Sequence, residues 1–258
     1  MSAVDNLDFF ICTHVPFETK VTNPVYKVLY SCDDFDCPLE KYKVDKGDLP
    51  YGDRFYSEFV HIHWAAQNLD LKDYVGICHY RRYFNFFDNV ERVTDNAPLF
   101  PTPKVFARKS NYSYYANCHN AEDLDICREI VKEHFNEYLD DYDVVVYKQN
   151  KMFANNMFVM AKEDFLEYDR FVIGVGKLLA ERIPDPVEHI LANKEKYLKR
   201  FQPNSTVEYQ QRLYGYVMER LTTVFALHRF KKIRSCKITL TQTKYPNEKQ
   251  LKNSQVSL

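Results

Sequence analysis

From residue 7 to residue 160 the hydrophobic pattern repeatedly changes period, and this alternation limits the possible folds more than any other feature of the chain. Short contiguous runs, "LDFFIC" (7–12), "VYKVLY" (25–30) and the Tyr74–Cys78 segment, read as buried strands. Between the second and third runs, Phe55, Phe59, Ile62, Ala66 and Leu69 recur at three- and four-residue spacing, which predicts a helix over 53–69 with Asp53 as its N-cap. Strands that alternate with helices in this way build an α/β fold.

Further along, residues 85–118 hold three prolines in 98–103 and the polar aromatic stretch "NYSYYANCH", and read as a long irregular region. A helix is expected from Asn120 as N-cap, with Leu124, Cys127, Val131, Phe135 and Tyr138 on one face. "DVVVY" (143–147) and "NNMFVM" (155–160) read as strands, and 163–182 as a long helix ended by the two prolines of "IPDPVEH". "STVE" (205–208) has the form of a capping box opening a last long helix, with Tyr209, Leu213, Tyr216, Val217, Val224 and Leu227 as its core stripe. "KITLTQT" after Cys236 reads as an edge strand, and the last dozen residues as a disordered tail. The expectation is one domain over 1–234 with a helical C-terminal part, then an edge strand and tail over 235–258.

Thirty-five Lys and Arg balance 36 Asp and Glu, so the net charge of −1 gives no electrostatic reason to expect nucleic-acid binding. No apolar run is long enough to cross a membrane. The opening "MSAVDNLDFFICTHVPF" has no basic leader before its apolar stretch, so the expected location is the cytoplasm. The seven cysteines are scattered, as reduced core thiols would be. Twenty Tyr and 19 Phe against one Trp supply flat surfaces, most of them for the core and some for stacking on a sugar or base.

"YVGICHYRRYF" (74–84) drives an apolar strand into His79, Tyr80, Arg81 and Arg82. Arginine grips phosphate oxygens well because its planar fork stays charged and donates two parallel hydrogen bonds. The pair therefore points to an anion, with pairing to surface carboxylates as the alternative. If the strand continued, His79 and Arg81 would share one face, and Tyr80 and Arg82 the other.

Arg220 falls on the apolar stripe of the last helix, where a lone charge is costly, so it needs a partner from another element or a ligand. Its neighbour Glu219 is excluded because adjacent helix positions do not face each other. His119 and Asp123 straddle a helix start. Asp123 is either a first-turn acid or a catalytic one, and Glu58 either pairs with Arg54 four residues earlier or serves a site. "CDDFDC" contains the D-x-D Asp34-Phe35-Asp36, a form that can hold Mg²⁺ or Mn²⁺ against a diphosphate. No Walker loop, G-x-G-x-x-G, G-x-S-x-G, C-x₂-C or H-E-x-x-H is present, and with only six glycines any phosphate would be gripped by side chains.

"ICTHVPF", "FYSEFVHIHWAAQNLDLKDYVGICHYRRYF", "YANCHNAEDLDICREIVKEHFNEY", "FANNMFVMAKEDFLEYDRF" and "YQQRLYGYVMERL", in that order over roughly residues 8–225, resemble the DUF4422 family of glycosyltransferase-like proteins found in capsule, exopolysaccharide and O-antigen gene sets. The resemblance implies a GT-A-like fold, a central mixed, mainly parallel sheet flanked by helices, for a nucleotide-diphosphate sugar, a UDP-sugar favoured, with a glycan or lipid-linked acceptor through which the protein would be peripheral to a membrane. By resemblance, Thr13 and His14 lie near the nucleotide; Glu58, His79, Tyr80, Arg81 and Arg82 near sugar and diphosphate; and His119, Asp123 and Asn156 near sugar or acceptor. Arg212, Glu219 and Arg220 form the late motif. Such folds usually carry a D-x-D at the end of a central strand. Here His79-Tyr80-Arg81-Arg82 stands there, which leaves Mn²⁺ or Mg²⁺ open as a cofactor and assigns no metal ligand. The reaction implied is sugar transfer to a hydroxyl, with arginines stabilising the departing diphosphate and Asp123, His119 or Glu219 taking the acceptor proton. The alternatives are a non-catalytic nucleotide- or glycan-binding protein on the same fold, or a hydrolase or phosphotransferase acting on nucleotides.

Overall fold

Strand β1 (Leu7–Thr13) is buried along its whole length because it lies at the centre of the sheet, with a parallel neighbour on each side. Those neighbours are β2 (Tyr26–Tyr30) and β4 (Tyr74–His79), and β3 (Lys41–Lys43) extends the parallel set beyond β2. On the far side of β4, β9 (Phe158–Ala161) runs antiparallel and pairs with β6 (Leu99–Pro101), which pairs in turn with β10 (Arg234–Cys236). A short hairpin arm, β5 (Arg82–Phe84) with β11 (Ile238–Leu240), branches from the end of β4, giving this sheet nine strands among the described residues. The computed structural model describes residues 5–85, 97–199 and 205–241.

Alternation along the strands divides the core. Phe10 and Cys12 of β1 and Val75 and Ile77 of β4 face a layer built from α1 (Asp53–Tyr56), α2 (Phe59–Asn68), α4 (Glu122–His134), α6 (Lys162–Arg182) and α10 (Leu213–Arg229). Leu7, Phe9 and Ile11 face a second core made with Phe17, Tyr26, Cys78, Tyr80 and Tyr83 from strands and loops. Gly76 is required where β4 crosses Phe9, since a Cβ there would lie 2.8 Å from the ring. The fold is thus α/β, with a mixed, mainly parallel sheet flanked by helices and a helical C-terminal part. No described helix is long and apolar enough to cross a membrane.

Several local expectations are overturned. Gly52, not Asp53, is the N-cap of α1, and the predicted single helix breaks at Ser57, whose φ of 55° ends α1 before α2 begins. The irregular region contains α3 (Asn111–Cys118), started by a reciprocal Ser110–Ser113 capping box, as well as β6 and the ribbon strand β7 (Lys104–Val105). Ala121 caps α4, while Asn120, one residue earlier, accepts from the Glu122 N–H at 3.2 Å. "DVVVY" is not a strand: after α5 (Leu139–Asp143) the valines continue as a π-helical turn over 144–148. β-Branched residues fit a pleated surface, but packing overrides that weak preference. Val145 and Val146 are fully buried, and the Val145 carbonyl accepts from Asn111 Nδ2 at 2.7 Å.

"STVE" caps only the short α9 (Val207–Gln210), through Thr206, and the long helix restarts at Leu213. Leu227 is 44% exposed rather than core. The edge strand is present as β11, and the expected domain boundary at 234/235 falls within β10. The expected tail lies outside the described residues beyond 241.

One buried ionic clasp ties the helical layer to the loop after β3. His63 on α2 contacts both oxygens of Asp169 on α6 through Nδ1 at 3.0 Å, and Asp48 through Nε2 at 2.8 Å. With carboxylates on both ring nitrogens, the ring is an imidazolium donating at each end. Burial pulls its pKa down, but the hydrogen bonds that the ring donates to Asp169 and Asp48, with the charge of Asp169, outweigh this and raise it. Because the folded value is the higher one, the clasp contributes fully below pH ~6.5 and is lost as pH rises through the folded pKa. His63→Ala leaves Asp169 buried without its partner and is expected to cost about 3 kcal/mol, a fall of roughly 6–12 °C in Tm by calorimetry. The deficit should be larger at pH 6 than at pH 8.5.

Candidate active site

The order β3-β2-β1-β4 contains a switch point. The chain steps outward from β1 to β3, then returns through α1 and α2 to β4 on the other side of β1. Open α/β sheets bind ligands beyond the carboxyl ends of strands at such a point. Those ends carry Thr13 and His14 after β1, and His79 and Tyr80 after β4, with the Tyr80 N–H donating to the Cys12 carbonyl at 3.2 Å. Two other segments are brought to the same edge by topology. α2 leads back to the start of β4, so its first turn lies at the β4 carboxyl end. β9 runs antiparallel to β4, so the turn before it arrives there too.

These arriving segments include every described non-glycine residue with positive φ: Ser57 (55°), Asn155 (71°) and Asn156 (49°). Left-handed backbone is tolerated best by asparagine and costs a serine more, and it persists only where surrounding contacts over-determine it. Here they do. His79 Nε2 donates to the Asn155 carbonyl, and the Asn155 N–H donates to Glu219 Oε1 at 2.9 Å. Asn156 Nδ2 donates to Glu58 Oε1 at 2.6 Å, while its Oδ1 accepts from Thr222, whose hydroxyl is 2.9 Å from Tyr168. Glu58 Oε1 also lies 3.7 Å from His79 Nε2. Glu58, His79, Asn156 and Glu219 therefore meet in one network.

The Ser57 elbow that aims Glu58 rests on Gly215 of α10. A Cβ on Gly215 would fall 2.8 Å from Ser57 Oγ and 3.3 Å from the Tyr56 carbonyl carbon, both next to backbone that cannot yield freely. Gly215→Ala is expected to destabilise by about 1–3 kcal/mol and to lower activity beyond what unfolding explains, because Glu58 moves with the elbow. Comparing Tm with turnover of the still-folded variant checks this.

The arginines are arranged differently from the sequence expectation. β4 does not continue: Tyr80-Arg81 is a tight turn, and Arg82 pairs across the hairpin with His79. Cross-strand partners share a face, so Arg82 lies on the side of His79 rather than opposite it. Arg81, at the turn, sits with its guanidinium 5.0 Å from the Tyr80 ring centroid. Its Nε is buried and has no hydrogen-bond partner among the described residues.

His14 stands beside it, edge-on to Tyr80 at 5.7 Å. Its ring surface is exposed. Even so, the crowding of surrounding protein, then the positive charge of Arg212 and, less strongly, Arg81, lower its pKa, while Asp53 and Glu58 act the other way. His14 is thus exposed at this edge beside Arg81, and the two mark the candidate cleft. Arg212, exposed just before α10, is near enough for its charge to act on His14. Thr13 is buried and structural in its bonding: its hydroxyl donates to the Val15 carbonyl at 2.6 Å and its own carbonyl accepts from His61 Nε2 at 3.0 Å.

The exclusion of Glu219 as a partner for Arg220 is wrong. Arg220 Nη1 reaches back one turn to the Tyr216 carbonyl at 2.6 Å and there meets Glu219 Oε2 at 3.0 Å, which two long side chains leaning the same way can do. The Arg220 guanidinium lies 4.9 Å from the Tyr115 ring centroid, and its Nε is buried without a partner among the described residues. Glu58 does not pair with Arg54; it turns inward to Asn156.

His119 and Asp123 lie behind this wall. His119 donates from Nδ1 to Gln210 Oε1 at 2.8 Å and packs 4.3 Å from the Tyr216 ring, and burial pushes its pKa down to about 3, so it is neutral. Asp123 is fully buried, accepting from Tyr197 at 2.6 Å and Tyr115 at 3.4 Å, and burial raises its pKa. Asp34 of the D-x-D is exposed and held by Lys41 at 2.5 Å and Tyr30 at 3.0 Å. Sequence reasoning missed Ser57, Asn155, Thr222 and Gly215. Only the Asn155-Asn156 pair carried a signal, as adjacent residues tolerant of left-handed backbone.

The family model described as "Domain of unknown function (DUF4422)" matches residues 8–231, and the chain belongs to that family. No curated protein matches it. Among solved structures, the apo structure of WbbM, a bifunctional glycosyltransferase, superposes with a TM-score of 0.72 at 19% identity over 93% of this chain. The match covers 46% of that protein, so this chain spans under half its length, and at that identity the likeness speaks for a shared fold.

Proposed function

We propose that this DUF4422 chain is a glycosyltransferase of GT-A-like fold, a single catalytic domain that takes in β10 and β11 beyond the expected boundary at 234, and that it moves a sugar from a nucleotide-diphosphate sugar to a hydroxyl of a glycan or lipid-linked acceptor. The observation that carries the reading is Arg81: a guanidinium at the switch-point edge, beside the exposed His14, with a buried Nε that no described group satisfies. A buried donor without a partner is costly, and a diphosphate oxygen would satisfy it. The likeness of the fold to a bifunctional glycosyltransferase supports the choice of reaction.

In this reading the nucleotide lies along the ends of β1 and β4 near Thr13 and His14, a UDP-sugar being the favoured donor. Arg81 holds the diphosphate, with Arg82, Arg212 and Arg220 adding positive potential. Charge grows on the departing diphosphate in the transition state, so a preorganised cation accelerates the step by binding more strongly as it leaves. Glu58 and Glu219 are the carboxylates in the network. Glu219 is engaged at both oxygens, by Asn155 and Arg220, whereas Glu58 uses only Oε1. Glu58 Oε2 is thus the proton acceptor for the incoming hydroxyl, and His79 and Asn156 position it. Asp123 and His119, with their buried bonding, support the wall that carries Arg220.

The test is release of free nucleoside diphosphate from a panel of uridine, guanosine and cytidine diphosphate sugars, with and without glycan acceptors, in Mn²⁺ and in chelator. Acceptor-dependent diphosphate release is expected from one donor class. Binding without release would indicate a non-catalytic binding protein, and release of monophosphate a hydrolase. The chelator arm settles whether a divalent ion assists.

A further inference from the structure

In a chain whose charges nearly cancel, residues 97–121 and 144–162 contain no Asp or Glu at all. The fold brings these stretches together. β7 pairs antiparallel with β8 (Lys151–Met152), Phe106 N–H donates to the Asn150 carbonyl at 2.8 Å, and Asn111 Nδ2 donates to the Lys151 carbonyl at 3.1 Å. The resulting ribbon exposes Lys104, Arg108, Lys109 and Lys151. None of the four has a carboxylate in ion-pair contact among the described residues. Lys237 is also exposed on this side, one residue beyond Cys236, whose carbonyl accepts from the Thr102 N–H at 2.8 Å. Between the cations, Val105 is 68% exposed.

The ribbon is rigid. Phe106 is buried against Tyr114, ring centroids 3.6 Å apart, with Lys104 Nζ 5.3 Å from the Phe106 centroid. It is also close to the cleft. Lys151 and Asn155 are four residues apart, at most about 14 Å of chain.

We propose that this ribbon docks the protein on an anionic phospholipid surface. The cations would lie at the headgroups and Val105 would enter the interface, placing the neighbouring cleft at the bilayer. An exposed aliphatic side chain among cations suits lipid. A single-stranded nucleic acid would call for exposed rings to stack on, and the ribbon's phenylalanine is buried. The inference deepens the transferase reading by naming the setting in which a lipid-linked acceptor is met, and it rests on that reading only for this purpose.

The experiment is co-sedimentation of the full chain with vesicles of phosphatidylcholine alone or with 30 mol% (about one in three) phosphatidylglycerol. It is run on the wild type and on the quadruple variant Lys104→Glu, Arg108→Glu, Lys109→Glu, Lys151→Glu. The expected result is binding to the anionic vesicles only, weakened as salt is raised. Each removed cation lowers the partition coefficient about fivefold, so the quadruple variant falls by two orders of magnitude or more. Val105→Ser alone, which adds no charge, should weaken binding without changing its salt dependence.

If the quadruple variant fails to fold, the wild-type salt series and Val105→Ser decide the matter. Absence of wild-type binding, equal binding to neutral vesicles, retained binding by the folded quadruple variant, or binding to a polyuridine RNA but not to vesicles would each overturn the proposal. Because no donor is used, a negative result leaves the diphosphate-release assay untouched, and a failure of sugar transfer leaves vesicle binding readable.

Discussion

Arg81→Ala is expected to lower kcat/KM for the donor by about two to three orders of magnitude, the range for removing one preorganised donor to developing negative charge. The loss should fall on kcat as well as on nucleotide affinity, since the contact strengthens as the diphosphate departs. Stability should change little. The guanidinium makes no hydrogen bond through Nε that its removal would break, and what is lost with it is its 5.0 Å cation–π contact with Tyr80. Arg81→Lys keeps the charge but not the planar fork, and should recover only part of the loss. Arg82→Ala is the informative comparison. Arg82 sits in β5 between His79 and Leu240, one residue past the turn, and should matter less than Arg81. Steady-state release of nucleoside diphosphate measures all three, and an Arg81→Ala enzyme with wild-type kcat/KM would contradict the assignment.

The second large effect is at Glu58. Glu58→Gln keeps an oxygen that can accept from Asn156, so the network and the fold should survive, with Tm within roughly 2 °C of wild type, well under one lost core contact. The amide cannot take a proton, and kcat should fall about 10²- to 10⁴-fold with donor affinity preserved. Glu219→Gln should show the opposite balance. Its carboxylate anchors the Asn155 N–H and Arg220, so a modest rate loss should accompany a measurable loss of stability. Asp123→Asn should behave as a core substitution, because both oxygens of Asp123 are occupied by phenols away from the cleft. A Glu58→Gln variant of normal turnover would remove Glu58 from the chemistry.

The sheet was legible because its central strands are buried on both sides. β1, β2 and β4 each read as contiguous apolar runs, and α6 carried a clear helical period. Short elements were not. β5 and β6 are three residues each and are defined by what they pair with rather than by their own composition. α3 was hidden because its capping box uses Ser113 in place of the acidic partner that makes such boxes visible, and its tyrosines carry little helical preference. The valines at 144–146 were misread for the opposite reason: a strong local preference for strand was overridden by packing.

At the candidate site, the residue types were legible but their relations were not. Arg81 and Arg82 were correctly singled out as a pair of cations at a strand end, but the turn between them, which separates their directions, depends on β11 arriving from residues 238–240. The Glu58–Asn156 bond joins residues 98 positions apart, and Glu219 meets Asn155 across 64. No local spacing encodes such contacts. They follow from β9 lying antiparallel to β4 and from Gly215 letting the Ser57 elbow approach.

The most direct measurement is a crystal structure with a nucleoside diphosphate bound. The account expects the diphosphate at the carboxyl ends of β1 and β4, with a phosphate oxygen about 2.7–2.9 Å from the Arg81 guanidinium and the base on the His14 side. A diphosphate seated elsewhere on the molecule, or one bound here with Arg81 turned away into solvent, would contradict it.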